Sequence, residues 1–307
     1  MKKIRIKPKT RGSQNVSRPE QEKKPLEDRF GCSNDSHFSV DIRGKDDMKL
    51  KTFILTGILG FVGLQIPSSI QAGEAASEIT LISVYDNYRI NPNLKTAWGF
   101  ATVVKTPKEI ILFDTGGSSE ILLFNMEKLG IEPASINKVV LSHIHGDHTG
   151  GVEGFLERNN HVTIFLPKSF PQSFKDRITR KGAKVIEISN PTKISDFVYT
   201  TGELYGPPEE QSLIIDTKKG LVVITGCAHP GIVNIVKKAK KLMKKDIYLV
   251  AGGFHHPPLS CVKEFRKLQV KKVAPSHCVG DPVREAFRKE YKQDFIEYGV
   301  GKIIKIQ

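Results

Sequence analysis

The chain has 307 residues and carries 47 Lys and Arg against 33 Asp and Glu, a formal net charge of +14. Hydrophobic residues make up 39% and charged residues 26%, which excludes a fully disordered chain and fits a folded protein. Four cysteines are too few for a disulfide-stapled scaffold, so the core must close by burial of apolar side chains.

The first 75 residues differ in pattern from the rest of the chain. Residues 1–47 are polar and lack apolar periodicity, so we predict disorder or an over-extended start of translation. From Met48, a basic stretch, an apolar run over 52–66 and small residues up to Ala75 follow the layout of a signal peptide. The pattern predicts export to the periplasm or the exterior. The alternatives are an anchor that contacts the membrane through 52–66, and a core helix of a cytoplasmic protein.

Residues 76–307 are predicted to form one folded catalytic domain. Short β-branched runs predict strands at 79–85, 100–105, 110–114, 138–142, 162–167, 184–187, 197–201, 212–217, 221–225, 247–251 and 272–274. Helical spacing predicts helices at 118–129, 231–244, 258–268 and 282–289. Strands dominate the first half and strand–helix alternation the second. We therefore predict an α+β fold, an αββα sandwich of two mixed sheets flanked by helices.

The most informative segment runs from Val140 to Gly151 and contains three histidines and one aspartate within six residues. It follows an apolar strand and precedes a glycine-rich helix start. Imidazole nitrogens and carboxylate oxygens are ligands that Zn²⁺ and related divalent ions prefer. We expect His143 and His145 to converge on one ion, and Asp147 and His148 to point to a second position nearby.

The His-x-His-x-Asp-His spacing after a strand resembles the signature of the metallo-β-lactamase superfamily. The resemblance extends from about Ile79 to the C-terminus. It implies that Asp114, in a strand-end Asp-Thr-Gly, orients a histidine of the metal site. It also implies further ligands at the ends of later strands: His229 at the first ion and His277 at the second.

Four more residues are candidates for the site or the core, the first two of them through the same resemblance. Cys227 stands where related enzymes carry an acidic residue or a cysteine that reaches a metal, but a cysteine on an apolar strand is also a common core residue. Glu210 is a candidate ligand because other branches carry a histidine near that position. His255 is expected to contact substrate, to steady a ligand or to pack in the core. Trp98 is expected in the core, with pocket lining as the alternative.

Several stretches read together resemble a narrower group, the 7,8-dihydropterin-6-yl-methyl-4-(β-D-ribofuranosyl)aminobenzene 5′-phosphate synthase-like proteins. At His256 and Val279 the chain departs from that group's pattern, which has an apolar residue and a threonine there. The stretches that carry the resemblance are Tyr-Asp-Asn-Tyr at 85–88, Trp-Gly-Phe at 98–100, Glu-Gln-Ser-Leu at 210–213, Gly-Cys-Ala-His-Pro-Gly at 226–231, Gly-Gly-Phe-His at 252–255 and His-Cys at 277–278.

The resemblance implies an enzyme with two divalent ions, expected to be Zn²⁺ with Mn²⁺ or Fe as alternatives, in which Asp147 and His148 take part in catalysis. Hydrolysis of a small phosphorylated, ester or lactone substrate is the first hypothesis, because such ions activate water. The alternatives are a pterin–aminobenzene condensing synthase of methanopterin-type biosynthesis and a non-catalytic metal-binding sensor.

The charge of the chain bears on its partners. The positive charge of the body favours an anionic small molecule. Nucleic acid is not expected, because no basic run is interleaved with aromatic residues. The short spacing from His148 to His229 also leaves little room for a nucleic-acid-binding insert. The sequence leaves the oligomeric state open.

Overall fold

The structure is a computed structural model that describes Ala76 and residues 78–307. The predicted boundaries at residues 47 and 75, and the apolar run over 52–66, lie outside the described residues. In order along the chain, the strands are β1 (Ile79–Tyr85), β2 (Ala101–Lys105), β3 (Ile110–Phe113), β4 (Lys138–Val140), β5 (Thr163–Pro167), β6 (Lys184–Ile188), β7 (Thr192–Ser195), β8 (Val198–Thr200), β9 (Leu213–Thr217), β10 (Gly220–Thr225), β11 (Ile247–Gly253), β12 (Lys272–Ser276) and β13 (Ile303–Ile306).

Helices connect these strands and cover the outside of the sheets. They are α1 (Ser119–Lys128), α2 (Gly146–Thr149), α3 (Val152–Leu156), α4 (Gln172–Arg180), α5 (Ile232–Met243), α6 (Cys261–Lys267) and α7 (Asp281–Tyr291), with 3₁₀ turns at Pro133–Ser135 and Lys292–Asp294. None of the helices in this described part of the chain has both the length and the apolar character that a membrane crossing requires.

The strands form two mixed sheets. The seven-stranded sheet has the order β13-β1-β2-β3-β4-β5-β6, with β3 to β6 parallel and the other pairs antiparallel. The six-stranded sheet has the order β12-β11-β10-β9-β8-β7, with β10 to β12 parallel and β7 to β10 antiparallel. Parallel neighbours need helical crossovers, which explains why helices lie between these strands in the chain.

The core forms layers because both faces of the central strands are apolar. On β1, Ile79 and Leu81 pack between the two sheets, whereas Ile82 and Val84 pack against the helices outside. The outer layer of the second sheet is built from α5, α6 and α7. Burial of each large aliphatic or aromatic side chain contributes about 1.5–3 kcal/mol. The predicted αββα sandwich is confirmed.

Two strands and one long helix were not predicted. The strand β13 is an edge strand in which burial alternates, so its four residues give only a weak pattern. The strand β7 is mostly polar and also lies at an edge. In α4, Phe174 and Ile178 are the apolar residues that reach the core, too few to mark the segment in a polar sequence.

The loops that matter for function follow strand ends. The strands β3 and β4 are parallel neighbours, so the loops that begin at Asp114 and Leu141 leave the first sheet at the same edge. The strands β10, β11 and β12 are also parallel neighbours, so the loops 226–229, 254–256 and 277–278 leave the second sheet together. The contacts described below show that these two sets of loops meet.

Candidate metal centre

The loop after β4 carries the histidine-rich motif and is fixed by its backbone. The carbonyl of Asp147 accepts a hydrogen bond from the Phe100 amide at 3.2 Å. The carbonyl of His148 accepts two hydrogen bonds from Thr115, one from the amide at 2.8 Å and one from the hydroxyl at 2.9 Å. These bonds hold the motif against the β2 and β3 ends of the first sheet, so its side chains project from a fixed support.

The structure brings the six residues predicted as ligands into two neighbouring clusters. The three-imidazole group consists of His143, His145 and His229, and the mixed group consists of Asp147, His148, Cys227 and His277. In each group the ligand atoms lie within 4.8 Å of one another. The rings of His143 and His148 are 4.2 Å apart between centroids, so the two groups adjoin.

Hydrogen bonds fix the tautomers of the histidines that belong to the mixed group. Asp114 Oδ2 lies 2.7 Å from His148 Nδ1, and an ionised carboxylate only accepts, so Nδ1 carries the proton. Nε2 of His148 is then free to act as a ligand. Asn87 Oδ1 accepts in the same way from His277 Nδ1 at 3.1 Å, which leaves Nε2 of His277 free. Those two Nε2 atoms are 3.2 Å apart.

His143 is oriented through a serine. The Ser142 hydroxyl donates its single proton to Asp114 Oδ2 at 2.7 Å, so it must accept from His143 Nδ1 at 2.9 Å. One carboxylate, Asp114, therefore sets the ring orientation in both groups. From the sequence, neither Asn87 nor Ser142 was assigned a role in orienting histidines. Ser142 adjoins the motif and could have been found, whereas Asn87 lies 190 residues from its partner His277.

Glu210 lies behind the site and accepts hydrogen bonds from the loop that carries His229. Its carboxylate accepts from four consecutive backbone amides, those of residues 226–229, at 2.8–3.1 Å. Burial raises the pKa of Glu210 to about 7, and the amide hydrogen bonds oppose that rise. Glu210 Oε2 is 4.0 Å from His143 Nδ1, on the side of the ring away from the free Nε2. Its contacts therefore position the loop.

The electrostatics of the site favour cation binding. Burial and the neighbouring imidazoles lower the pKa of His143 well below its usual value, and burial with His255 and His145 lowers the pKa of His229 to about 4. These rings are therefore neutral and free to bind a metal. Burial alone would raise the pKa of Asp147, but His277 and His148 hold it below its usual range, so this carboxylate is ionised.

A metal ion fits the residues that are present. Nε2 of His229 is buried and has no hydrogen-bond partner in the described part of the protein, although buried polar atoms normally have one. Five of the nine non-glycine residues with positive φ among the described residues lie on the surrounding loops, which is typical of strained functional sites. They are Asp114, Ala228, His255, His256 and His277.

Trp98 is not a core residue, which corrects the expectation from the sequence. Its side chain is 55% exposed and its ring lies 4.8 Å from that of His277. The next residue, Gly99, has φ +137° and packs its backbone on the metal-binding loop, since a Cβ there would come within 2.4 Å of the Asp147 carbonyl oxygen. This stretch of chain therefore lies against that loop, with the indole beside His277 at the rim of the site.

The remaining candidates lie in or beside the two groups. Cys227, a member of the mixed group, is 5% exposed and its Sγ is 3.2 Å from His148 Nε2. His255 is exposed, with its ring 4.2 Å from that of His229. Next to these residues lies a cavity of about 460 Å³ whose lining includes His229, Lys237, Phe254, His255 and His256.

The chain matches a known protein family. The family model described as the metallo-beta-lactamase superfamily matches residues 99–277. A fold of this type implies binding of divalent metal ions, in agreement with the two donor groups.

The chain is also similar to individual proteins. It is 34% identical over 249 residues to 7,8-dihydropterin-6-methyl-4-(beta-D-ribofuranosyl)-aminobenzene-5′-phosphate synthase of Methanocaldococcus jannaschii, a match that covers 64% of this chain and 85% of the relative. The solved structure of Tm1679, described as a metal-dependent hydrolase of the beta-lactamase superfamily, superposes with a TM-score of 0.62 at 26% identity, covering 75% of this chain and 98% of that one. Human tRNase Z, short form, superposes with a TM-score of 0.51 at 16% identity, covering 74% of this chain and 98% of that one, and shares the fold alone.

Proposed function

Because the chain belongs to the metallo-β-lactamase superfamily, we propose that it is a metal-dependent hydrolase that acts on a small anionic substrate with two divalent ions. His143, His145 and His229 hold the first ion, and Asp147, His148 and His277 hold the second. The observation that carries the proposal is the pair of adjoining donor groups, each with three ligand atoms supplied by these residues within 4.8 Å of one another. Zn²⁺ is the expected metal, because neutral imidazoles and carboxylates are among its preferred ligands.

Different residues of the chain have different roles in the proposed reaction. Divalent ions in such sites act as Lewis acids and generate a nucleophile from water at neutral pH. Asp114, Asn87 and Ser142 keep the ring nitrogens of three histidines aimed at the ions. Asp147 is ionised and has a side chain that is 22% exposed, so it can accept a hydrogen bond from the attacking water and orient it.

The cavity beside His229 is the proposed place for the substrate. Its lining carries one positive charge, Lys237, and one negative charge, Glu264, and Phe254 and His255 supply apolar and aromatic surface. The positive field at the site therefore comes from the bound ions and from the described domain, which is basic overall. A substrate with a phosphate or carboxylate is therefore attracted to the site. Because salt screens such attraction, kcat/KM should fall as ionic strength rises for an anionic substrate and should not for a neutral ester of similar size.

The test is a measurement of metal content together with turnover of phosphodiester, lactone and pyrophosphate substrates by the full chain. We expect at least two equivalents of metal and hydrolysis of at least one anionic member of the panel. His145→Ala should lose both metal and turnover. His161→Ala, which removes an exposed histidine of another loop, should behave as the parent protein. A metal-replete protein that turns over no member of the panel would point to a sensor.

A condensing synthase is the second candidate, and one observation favours it. The relative from M. jannaschii is named a synthase and is matched over 85% of its length. The exposed indole of Trp98 at the rim of the site is also a suitable surface for a planar heterocycle. Incubation with a dihydropterin pyrophosphate and an aminobenzene riboside phosphate tests it. Pyrophosphate released only when both compounds are present supports the synthase, whereas release from the pyrophosphate compound alone supports the hydrolase.

A further inference from the structure

A third cluster of metal-binding side chains lies next to the mixed group. Sγ of Cys227, Sγ of Cys278 and a ring nitrogen of His255 lie within 4.8 Å of one another; we call these three residues the dithiol group. They come from the ends of β10, β11 and β12, three parallel neighbours in the second sheet. We propose that the dithiol group is a further cation site, one that selects a soft ion such as Zn²⁺, Cd²⁺ or Cu⁺.

The chemistry of the donors supports this assignment. Thiolates select soft ions, and two cysteines with one histidine form a known three-ligand zinc set that leaves one coordination position open. Ligand atoms that are each about 2.0–2.3 Å from one ion are separated by no more than about 4.6 Å. The 4.8 Å limit on the observed separations is close to that value, so only small side-chain movements are needed.

The backbone around the sulfur atoms suits a bound thiolate. The amide of His255 donates a hydrogen bond to Cys278 Sγ at 3.2 Å, a contact that stabilises negative charge on the sulfur. Gly253 allows the strands to approach: a Cβ there would lie 2.9 Å from Cys278 Sγ and 3.2 Å from the Cα of Cys227. A side chain at residue 253 would therefore crowd Cys278 Sγ and the backbone of Cys227.

The dithiol group can be reached from solvent on the side of His255. Cys227 and Cys278 are 5% and 3% exposed, whereas His255 is exposed and lines the cavity next to His229. An ion therefore enters past His255 and meets both sulfur atoms behind it. Cys227 Sγ is also 3.2 Å from His148 Nε2, so the dithiol group and the mixed group share this sulfur. The further site is thus contiguous with the proposed pair of ions.

The proposal does not depend on the catalytic activity. The six ligands assigned to the two catalytic ions contain no sulfur, and neither Cys278 nor His255 is among them. Binding of a thiol-dependent ion can therefore fail while the two other ions bind, or the reverse. The readout is the charge-transfer absorption that thiolate ligands give with Co²⁺, together with the number of Cd²⁺ ions bound.

The experiment uses the metal-free full chain with Cys32→Ala in every protein, so that only the described cysteines contribute thiols. The parent is expected to bind three equivalents of Cd²⁺ and to give a Co²⁺ charge-transfer band from two thiolates. Cys278→Ala should retain two equivalents and lose the band, because the ligands of the two remaining ions contain no sulfur. Cys261→Ala removes a buried thiol of α6 and is the matched control, with three equivalents and an unchanged band.

Two results would overturn the proposal. One is a Cys278→Ala protein with the same Cd²⁺ stoichiometry and band intensity as the parent. The other is a disulfide between Cys227 and Cys278 in protein isolated without reductant, detected by mass spectrometry. If Cys278→Ala does not fold, His255→Ala serves instead, because this side chain is exposed. It is expected to lose the third equivalent of Cd²⁺ and to keep the other two, and retention of all three contradicts the proposal.

Discussion

The three-imidazole group and the mixed group adjoin, but they are supported differently. In the mixed group, His148 and His277 are fully buried and each is oriented by a hydrogen bond to a side-chain oxygen. In the three-imidazole group, His145 is exposed and Nε2 of His229 has no partner within the described chain. The mixed group also supplies a carboxylate. The difference indicates that one ion position is preorganised and charged, whereas the other is open and neutral.

The largest effect that tests this difference is metal removal. We expect a chelator to abolish turnover completely, and to take the ion of the three-imidazole group first, because that group is more exposed and carries no anionic ligand. Metal content and turnover measured on the same samples check this expectation. Re-addition of Zn²⁺ should restore turnover. Turnover that persists in metal-free protein would contradict the proposed function as well as the comparison.

Stability should separate the two groups in the metal-free protein. His148→Ala leaves the buried Asp114 carboxylate without one of its hydrogen-bond donors, so the free energy of unfolding should fall by about 1–3 kcal/mol. His145→Ala removes an exposed ring and should change that free energy by no more than about 0.5 kcal/mol. Urea unfolding followed by Trp98 fluorescence measures both. Equal losses in the two variants would mean that the groups are supported alike.

A change at Asp114 should weaken the preorganised position without removing any ligand. Asp114→Asn keeps the shape of the side chain but loses its charge, so His148 no longer has a strong acceptor at Nδ1. We expect metal affinity to fall by about 10–100-fold. Asp216→Asn is the matched control. Asp216 lies on β9, is as deeply buried as Asp114, and forms an ion pair with Lys245. Metal affinity measured by competition with a chelator should be unchanged in this control.

The smallest effect is spectroscopic and reports on the mixed group alone. Trp98 is the single tryptophan of the chain, and its ring is 4.8 Å from that of His277. We expect Co²⁺ at the mixed group to quench the fluorescence of Trp98 and Zn²⁺ to leave it nearly unchanged. During chelation, the quenching should persist after the ion of the three-imidazole group has left. Recovery of fluorescence with the first equivalent would reverse the assigned order.

The sequence predicted the parts of the molecule whose signals are local. The strand β1 was predicted with its observed bounds, Ile79–Tyr85, because its buried residues run continuously between turn residues. The histidine motif was recognisable because four candidate ligands lie within six residues of one loop. The strand β13 was missed because a partly exposed edge strand carries little pattern, and its place beside β1 is set by pairing across the whole chain.

The rest of the site depends on contacts between residues that are far apart in the sequence, and no short segment of sequence predicts such contacts. His229 and His277 were expected as ligands only through the resemblance to a family, since nothing in their own neighbourhoods marks them. Asn87 was missed because its partner His277 is 190 residues away. The burial of Trp98 was predicted wrongly because this stretch of chain is placed by the close packing of Gly99 on the Asp147 carbonyl, a contact that exists only in the folded chain.

Each donor group draws its ligands from both layers of the sandwich. His145 and His148 follow β4 of the first sheet, His229 and His277 follow β10 and β12 of the second, and His148 and His277 are separated by 129 residues of chain. An ion in either group is therefore a cross-link between the two sheets, and it closes a long loop much as a disulfide would. While an ion is bound, the sheets cannot part without releasing it, so we expect bound metal to slow proteolysis of the folded protein.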